Sequence, residues 1–247
     1  MASAGLAEPA RATLDIPTKE RLIVALDVPT VEEARSLVHR LGDSVVFYKI
    51  GMQLQFAGGI QYAQELIHSG KKVFLDSKLF DIDATIEKAA ENIARMGVDF
   101  LTVHGIGPTV RAAVRGRGDS RLQILAVTVL TSLEASDLHE LGYRDASVED
   151  IVLYRAKKAL DAGADGVIAS GREAEAIGRL SAGKLKIVTP GIRRGSDAVG
   201  DQKRVATPAS AIAAGADYLV VGRPVSQSED PRREAEGIVA EIEDALG

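Results

Sequence analysis

A tripeptide of the form Gly-x-Asp, followed each time by an apolar run, occurs at residues 97–99, 163–165 and 215–217. Successive copies are separated by about two units of roughly 30 residues, which is the size of a strand–helix–strand step. We interpret each glycine as the residue that ends a helix, and each apolar run as the buried strand that follows it. The repeat therefore predicts helices and parallel strands that alternate along the chain.

Eight apolar runs of strand length carry this alternation through the sequence. The predicted strands are Leu22–Leu26, Val45–Tyr48, Val73–Leu75, Asp99–Val103, Leu122–Val127, Asp165–Ala169, Leu185–Val188 and Asp217–Val221. Helical patterns separate and follow them, notably over residues 30–41, 55–68, 82–96, 148–162, 206–214 and 231–246. Eight strands that alternate with helices through right-handed crossovers predict an α/β fold of the (β/α)8 TIM-barrel type.

The length of the chain fits one such barrel without a second domain. It has 247 residues, of which 46% are hydrophobic, enough for a single large core. Residues 1–20 are rich in alanine, contain Pro9 and Pro17 and lack the apolar segment of a signal peptide, so we predict a loose N-terminal tail. Residues 21–247 are predicted to form the catalytic barrel.

Composition also argues against several partners and chemistries. The net charge is −5 and there is no basic block, which disfavours nucleic acid as a partner. No apolar run is long enough to span a membrane. The chain has no cysteine, which excludes disulfides, thiolate zinc sites and cysteine nucleophiles. A cytoplasmic location fits this composition.

The stretch from Val73 to Thr85 has the strongest chemical pattern. Asp76 and Lys78 follow a buried strand two residues apart, and side chains at that spacing on a strand point to the same side. Asp81 comes just beyond, before an amphipathic helix begins. A bland alternative is a solvated ion pair, with Asp81 or Asp83 as the helix cap.

Other polar residues follow the remaining predicted strands, namely Asp27, Lys49, His104, Thr131, Arg193 and Arg223. Any one of them could be a surface residue, and His104 a rim histidine with a satisfied hydrogen bond. In this fold, however, the C-terminal strand ends surround one mouth, where the active site lies. A surface role would therefore have to explain all of them together.

The last two strands are followed by sequences suited to phosphate. Thr189-Pro-Gly-Ile-Arg193 follows the seventh predicted strand, and Gly222-Arg223-Pro224 follows the eighth. The loops after these strands are the usual phosphate site of the fold, and arginine can bond two phosphate oxygens at once. Residues 194–204 are polar and contain Gly195 and Gly200, so this segment is either a mobile lid or an ordinary long loop.

These motifs resemble a known family. Asp76-x-Lys78-x-x-Asp81-Ile82-x-x-Thr85 is similar to the motif of the orotidine 5′-phosphate decarboxylases. Thr189–Arg193, Asp201-Gln202 and Asp217–Pro224 resemble phosphate-binding stretches of its bacterial branch, and the likeness runs from about Arg21 to Ser228. The family usually has Pro-Asn where this chain has Asp83-Ala84. Because aspartate is a sound helix cap, we expect a local change of geometry and no change of chemistry.

The resemblance implies a cofactor-independent decarboxylation of orotidine 5′-phosphate to uridine 5′-phosphate, with no metal. Lys78 would protonate C6 of the pyrimidine, Asp76 would lie against the substrate carboxylate, and Lys49 and Asp81 would complete the charge array. The further substrate contacts that it implies are Asp27 and Lys49 to the ribose, Thr131 near the base, Gln202 from the lid, and Arg193, Gly222 and Arg223 to the phosphate, with Pro190 also in contact with the substrate. Asp81, Ile82 and Thr85 would serve the neighbouring subunit's site, which implies a homodimer.

Two other functions remain to be compared. Magnesium-dependent sugar-phosphate decarboxylases or synthases of similar barrel and motif have a glutamate where this chain has Lys49, because the metal needs a carboxylate oxygen and an ammonium would repel it. A non-catalytic nucleotide-binding barrel would bind uridine monophosphate without turnover. A mere binder has no need of a buried charge array, so Asp76, Lys78 and Asp81 argue against it.

Overall fold

A computed structural model of the chain describes residues 14–143, 145–194 and 205–247. In these residues eight parallel strands close into a barrel in the order β1 to β8, and β8 pairs with β1. The strands are β1 (Leu22–Ala25), β2 (Phe47–Gly51), β3 (Lys72–Leu79), β4 (Phe100–His104), β5 (Gln123–Val127), β6 (Gly166–Ile168), β7 (Lys186–Thr189) and β8 (Tyr218–Val221). The predicted TIM-barrel fold is confirmed.

Helices cover the outside of the barrel. They are α1 (Thr18–Arg21), α2 (Val31–Leu41), α3 (Met52–Leu54), α4 (Ile60–His68), α5 (Asp83–Arg95), α6 (Gly107–Arg117), α7 (Ala135–Glu140), α8 (Val148–Asp161), α9 (Ala174–Ser181), α10 (Pro208–Ala213), α11 (Arg223–Ser226) and α12 (Pro231–Leu246). A 3₁₀ turn at Gly42–Ser44 and a π turn at Gln55–Gly59 complete them. Among the described residues, no helix is both long and apolar enough to cross a membrane.

The repeated tripeptide has one structural role in its three copies. Its glycines have φ values of 82°, 84° and 98°, the left-handed conformation that ends a helix. Its aspartates each accept a hydrogen bond from the backbone at the start of the preceding strand. The three bonds are Asp99 with Val73 N (2.9 Å), Asp165 with Ile124 N (2.8 Å) and Asp217 with Ile187 N (2.8 Å). The repeat thus links neighbouring strands at the N-terminal end of the barrel, which we call its lower end.

The interior of the barrel is filled from below by aromatic rings. Phe47, Phe74, Phe100 and Tyr218 are buried, and the centroid of the Phe100 ring lies 5.0 Å from Phe47 and 5.1 Å from Tyr218. These rings belong to a cluster that also contains Ala25 and Val220. A second, larger cluster packs the outer face of the strands against the helices. Together the two clusters place the apolar core inside and around the lower barrel.

The segment before β1 lies against this lower end. The buried Arg21 donates hydrogen bonds to the carbonyl oxygens of Asp217 (3.1 Å) and Leu14 (2.8 Å). Ile16 packs against the inner aromatic cluster. Residues 1–13 of the predicted tail lie outside the described residues. The division into a tail and a barrel from residue 21 stays a prediction.

The prediction of one continuous helix over residues 55–68 is wrong. Ala57 and Gly58 have non-helical backbone angles, with φ of 97° at Gly58, and they separate the turn at Gln55–Gly59 from α4. The glycine pair Gly58-Gly59 explains the break, because glycine adopts this conformation without the steric cost of a Cβ atom.

Candidate active site

A cavity of about 520 Å³ opens at the C-terminal end of the barrel. Nine of the residues predicted from sequence line it: Asp27, Lys49, Asp76, Lys78, Thr131, Pro190, Arg193, Gly222 and Arg223. They come from the ends of β1, β2, β3, β5, β7 and β8 and from the loops after them, as the closed topology requires. The structure therefore brings most of the candidate residues to one place.

Four of these residues form a line of alternating charge along one wall. Lys49 Nζ lies 3.0 Å from Asp27 Oδ1 and 3.4 Å from Asp76 Oδ2. Lys78 Nζ lies 2.8 Å from Asp76 Oδ1. The side chains of Lys49 and Asp76 are 10% and 12% exposed, whereas those of Asp27 and Lys78 are 51% and 30% exposed. The inner pair is therefore buried, and the outer two groups reach the open cavity.

The two buried members of the line stay charged. Burial lowers the pKa of Lys49, but attraction by Asp76 and Asp27 outweighs it, so the pKa lies above its ordinary value. Burial raises the pKa of Asp76, but attraction by Lys49 and Lys78 and a hydrogen bond from Thr102 bring it below its ordinary value. A carboxylate and an ammonium are thus held in place before any ligand arrives.

The end of β2 has no room for a side chain. A Cβ atom on Gly51 would lie 2.7 Å from Asp27 Oδ1 and 3.1 Å from Lys49 Nζ. Any other residue at this position would push the pair apart. Glycine here is a consequence of the charge line, and residue spacing alone did not identify it.

Asp76 and Lys78 do not meet in the way that the sequence predicted. The spacing predicts a regular strand, in which residues two apart share a side. Instead β3 bulges: Leu75 pairs with Leu101 and Leu79 pairs with Val103, so the register shifts between them. Within the bulge Lys78 has a φ of 48°, in the left-handed region. The two side chains are brought together by this irregularity and not by the simple pleat.

Backbone hydrogen bonds join the loop after β7 to the segment that precedes α10. Ile192 forms an isolated parallel bridge with Ala206. Arg193 N donates to Ala206 O at 3.0 Å, and Ala206 N donates to Gly191 O at 3.3 Å. The side chain of Arg193 lines the cavity, as does that of Arg223 beyond β8. Two guanidinium groups therefore lie on the side of the cavity predicted to hold phosphate.

The remaining predicted residues lie elsewhere. Asp81, Ile82 and Thr85 are exposed and do not line the cavity of their own chain. Asp81 Oδ1 accepts a hydrogen bond from Ile82 N at 2.7 Å, and Ile82 is 72% exposed. Gln202 and its neighbour Asp201 fall outside the described residues, together with residues 195–204 as a whole.

The prediction that an aspartate caps the helix after β3 is wrong. The N-cap of α5 is Ile82, and it makes no side-chain capping bond. Asp83 is the first helical residue, with Oδ2 3.8 Å from Arg115 Nη2. The sequence pattern does not distinguish the N-cap position from the first helical residue, because a negative charge is favourable at both positions.

His104 lies at the rim but does not line the cavity. Its ring contacts that of Phe80, with centroids 5.2 Å apart. Burial lowers the pKa of His104, and the positive charges of Arg155 and Lys78 lower it further. We therefore describe a neutral rim histidine near the charge line.

Some residues around the site were not identified from sequence. The apolar wall residues Val127, Val129 and Ile168 line the cavity, and nothing in an apolar strand distinguishes a wall from ordinary core. Thr102 lies under the charge line and bonds to two members of it. A polar residue in the apolar run Phe100–Val103 was the one signal that pointed to it.

Comparison with known proteins agrees with this geometry. The model of the Orotidine 5′-phosphate decarboxylase / HUMPS family matches residues 20–238. The chain belongs to this family. A protein named orotidine 5′-phosphate decarboxylase from Nitrobacter winogradskyi is 51% identical over 228 residues, covering 92% of this chain and 95% of the relative. One of the same name from Afipia carboxidovorans is 54% identical over 224 residues, covering 91% and 95%.

A solved structure gives the same picture of the family fold. The crystal structure of orotidine 5′-phosphate decarboxylase from Lactobacillus acidophilus matches with a TM-score of 0.80 and 34% identity, covering 90% of this chain and 99% of that one. The resemblance to the orotidine 5′-phosphate decarboxylase family that the motifs predicted is confirmed over nearly the whole chain.

Proposed function

We propose that this chain converts orotidine 5′-phosphate to uridine 5′-phosphate and carbon dioxide, the last step of de novo pyrimidine nucleotide synthesis. The reaction would need no metal or organic cofactor. The observation that carries the proposal is the line Asp27–Lys49–Asp76–Lys78 in the cavity, in a chain that belongs to this family. We further propose a cytoplasmic location, which fits the cysteine-free sequence.

The chemistry asks for a fixed cation beside the reacting carbon. The bond between C6 of the pyrimidine and the carboxylate carbon breaks, and its electron pair stays on C6, where no conjugated system accepts it. The Lys78 ammonium, which lies 2.8 Å from Asp76, would stabilise this carbanion and then donate a proton to C6. The products are the nucleotide and carbon dioxide, and the lysine regains its proton from solvent.

Asp76 has a supporting part in this scheme. It keeps Lys78 in position and would also lie near the substrate carboxylate. Two unit charges ~4 Å apart interact by ~4 kcal/mol at an effective dielectric constant of ~20, which is about three decades of rate. A demanding reaction needs up to ~23 kcal/mol. Repulsion of the substrate carboxylate is therefore a minor contribution, and stabilisation of the carbanion must supply more.

The rest of the nucleotide would extend across the cavity from the charge line. Asp27 and Lys49 would bind ribose hydroxyls, Thr131 would lie near the base, and Pro190 would also contact the substrate. Arg193, Gly222 and Arg223 would hold the phosphate, with Gln202 reaching it from the segment after β7. Binding energy from a phosphate remote from C6 can be used to fix the reacting geometry, which raises kcat as well as affinity.

Lys49 is the residue that argues against a magnesium enzyme of similar barrel. Its ammonium lies between the carboxylates of Asp27 and Asp76 and contacts both. A divalent cation in that position would displace it or be repelled by it.

One assay tests the proposal against both alternatives. Purified protein is mixed with orotidine 5′-phosphate in the presence of EDTA, and the loss of substrate ultraviolet absorbance is followed. We expect turnover that EDTA does not change. Loss of turnover with EDTA, restored by Mg²⁺, would favour a metal enzyme. Binding of uridine 5′-phosphate without any turnover would favour a nucleotide-binding barrel.

We also propose a homodimer with shared active sites. Asp81, Ile82 and Thr85 are exposed and lie outside the cavity of their own chain. Exposed apolar side chains accompany them: Phe80 on the same loop, and Met52 and Phe56 after β2. Such side chains are favoured at an interface, and two-fold symmetry would give each cavity an Asp81 from the partner.

Mixing two inactive variants tests this arrangement. Random exchange of Lys78→Ala and Asp81→Ala chains puts hybrids in about half of the dimers, and each hybrid has one site with both defects and one with neither. About a quarter of all sites would then be wild type, and about a quarter of normal activity should return. If mass spectrometry of tagged chains demonstrates exchange and activity stays at the level of the single variants, Asp81 acts in its own subunit.

A further inference from the structure

Thr102 is a fully buried polar residue in the middle of β4, and it does not line the cavity. Its hydroxyl donates a hydrogen bond to Asp76 Oδ1 at 2.8 Å. The Thr102 hydroxyl oxygen also accepts a hydrogen bond, from the backbone N–H of Lys78 at 3.0 Å. One side chain is therefore bonded to both members of the ion pair at which the reaction is proposed to occur.

The bond to Lys78 occurs where β3 leaves its ladder. Leu75 and Leu79 pair with Leu101 and Val103, and Thr102 lies opposite the bulge between them. Lys78 has a φ of 48° there, a conformation that is unfavourable for a lysine and persists only when its surroundings hold it. Thr102 supplies a partner for the N–H that the bulge takes out of the ladder, and so stabilises the strained conformation.

The bond to Asp76 fixes the carboxylate. Oδ1 accepts from Thr102 and from Lys78 Nζ, each at 2.8 Å, while Oδ2 faces Lys49 Nζ at 3.4 Å. With both oxygens engaged from three directions, the carboxylate has little freedom to rotate. Threonine suits this position because its β-branched side chain is stiff at χ1, so the hydroxyl direction is set by the strand.

We propose that Thr102 is a positioning residue for the reaction: it holds the Lys78 backbone and the Asp76 carboxylate together, and thereby sets where the Lys78 ammonium lies in the cavity. It acts through these two residues and does not touch the substrate. The proposal rests on the function proposed above, since it assigns Thr102 to the step in which Lys78 acts.

The kinetic test removes the hydroxyl and then restores it. Thr102→Val keeps the branched shape without the hydroxyl, and Thr102→Ala removes the hydroxyl without placing a methyl group against the carboxylate. We expect both to lower kcat about 10- to 100-fold, because small misplacements of a reacting group have effects of this size, while the affinity for uridine 5′-phosphate changes less than about threefold. Thr102→Ser should restore kcat to within about threefold of wild type.

Thr128→Val is the matched control. Thr128 is also fully buried, and its hydroxyl donates to the backbone oxygen of Ile168 at 2.8 Å, away from the charge line. The Thr128→Val substitution should lower the unfolding temperature about as much as Thr102→Val does, and it should leave kcat close to that of wild type. If Thr102→Val and Thr102→Ala also keep kcat within about threefold of wild type, Thr102 is only a core residue and the proposal is wrong.

A crystal structure of Thr102→Ala separates this proposal from the proposed function. We expect Lys78 to leave the left-handed conformation and its Nζ to move away from Asp76 Oδ1, whatever the protein is found to catalyse. If the wild-type protein does not turn over orotidine 5′-phosphate, the proposed decarboxylation is wrong, but the structural result for Thr102→Ala still holds. A Thr102→Ala structure in which Lys78 and Asp76 keep their positions would overturn the role of Thr102 alone.

Discussion

The two ends of the barrel use aspartate in opposite ways. At the N-terminal end, Asp99, Asp165 and Asp217 each accept a hydrogen bond from the backbone of a neighbouring strand. At the C-terminal end, Asp27 and Asp76 contact lysine ammonium groups beside a cavity. The lower carboxylates hold strands in register, whereas the upper ones hold charges in a space that a ligand can enter.

The difference shows how one residue type is directed to structure or to chemistry. A carboxylate bonded to a backbone N–H has a partner that cannot be exchanged, so its contribution is to the stability of the fold. A carboxylate paired with a lysine beside a cavity can share that lysine with a ligand. We therefore expect substitutions at the upper end to lower activity and those at the lower end to lower stability.

The largest effect is expected from Lys78→Ala. It removes the cation and proton donor, and turnover should fall by at least about 10⁴-fold. The fold should survive, because Asp76 keeps its contacts with Lys49 and Thr102. Turnover of orotidine 5′-phosphate, circular dichroism and binding of uridine 5′-phosphate measure these outcomes. Activity within tenfold of wild type would show that Lys78 is not the proton donor.

Arg223→Ala is expected to have the next largest effect. Losing two charge-assisted hydrogen bonds of ~1.5–3 kcal/mol each to a phosphate lowers kcat/KM by about 100-fold or more, and part of the loss should be in kcat. Guanidinium ion added to the assay should restore some activity by occupying the vacated position. Unchanged kinetics would place the phosphate elsewhere in the cavity.

Asp165→Ala tests the lower end of the barrel. It removes the acceptor of Ile124 N and the partner of Arg117, whose Nη1 lies 2.9 Å from Asp165 Oδ2. Leaving these groups unpaired should lower the free energy of unfolding by ~1–3 kcal/mol, with kcat/KM unchanged below the melting temperature. Asp161→Ala, which breaks an exposed pair with Lys157, is the control and should change stability by less than ~0.5 kcal/mol. A large loss of kcat in Asp165→Ala with normal stability would contradict the division between the two ends.

The smallest effect concerns the rim. The pKa of His104 is lowered in the folded protein, first by burial and then by Arg155 and Lys78. The unfolded chain therefore takes up this proton at a higher pH, and the stability that neutral His104 contributes is complete above its ordinary pKa of 6.5 and is lost as the pH falls below it. His104→Gln should flatten the fall of the unfolding midpoint between pH 7 and 5. Exposed His139→Gln should leave that slope unchanged, and an equal slope in both variants would remove His104 as its source.

The barrel was predictable because its signals are local and repeated. Apolar runs, glycine helix ends and polar strand ends each follow from a few neighbouring residues, and the closed topology then decides which ends meet. The helix break at Gly58 shows the limit of this reasoning. A glycine pair inside a helical pattern is compatible with a helix or a kink, and contacts distant in sequence decide between them.

The candidate site divides in the same manner. The residue types at the strand ends, such as Lys49 and Arg223, followed from the pattern and the family motif. The bulge that brings Asp76 to Lys78 did not, because it depends on a hydroxyl 24 residues further along the chain, on the next strand. The need for glycine at Gly51 was hidden for a similar reason, since it arises from side chains of two strands that meet only in the folded barrel.

The aromatic cluster inside the barrel has a consequence for the traffic of molecules. Ala25, Phe74 and Val220 of that cluster form the floor of the cavity, with the rings of Phe47, Phe100 and Tyr218 packed around and beneath them. Within the described residues the cavity is therefore closed at this lower end, and its opening lies at the C-terminal ends of the strands. A reaction that divides one molecule into two must then release a gas and a nucleotide through the opening by which the single substrate entered. A compound that plugs this opening would block arrival and departure alike.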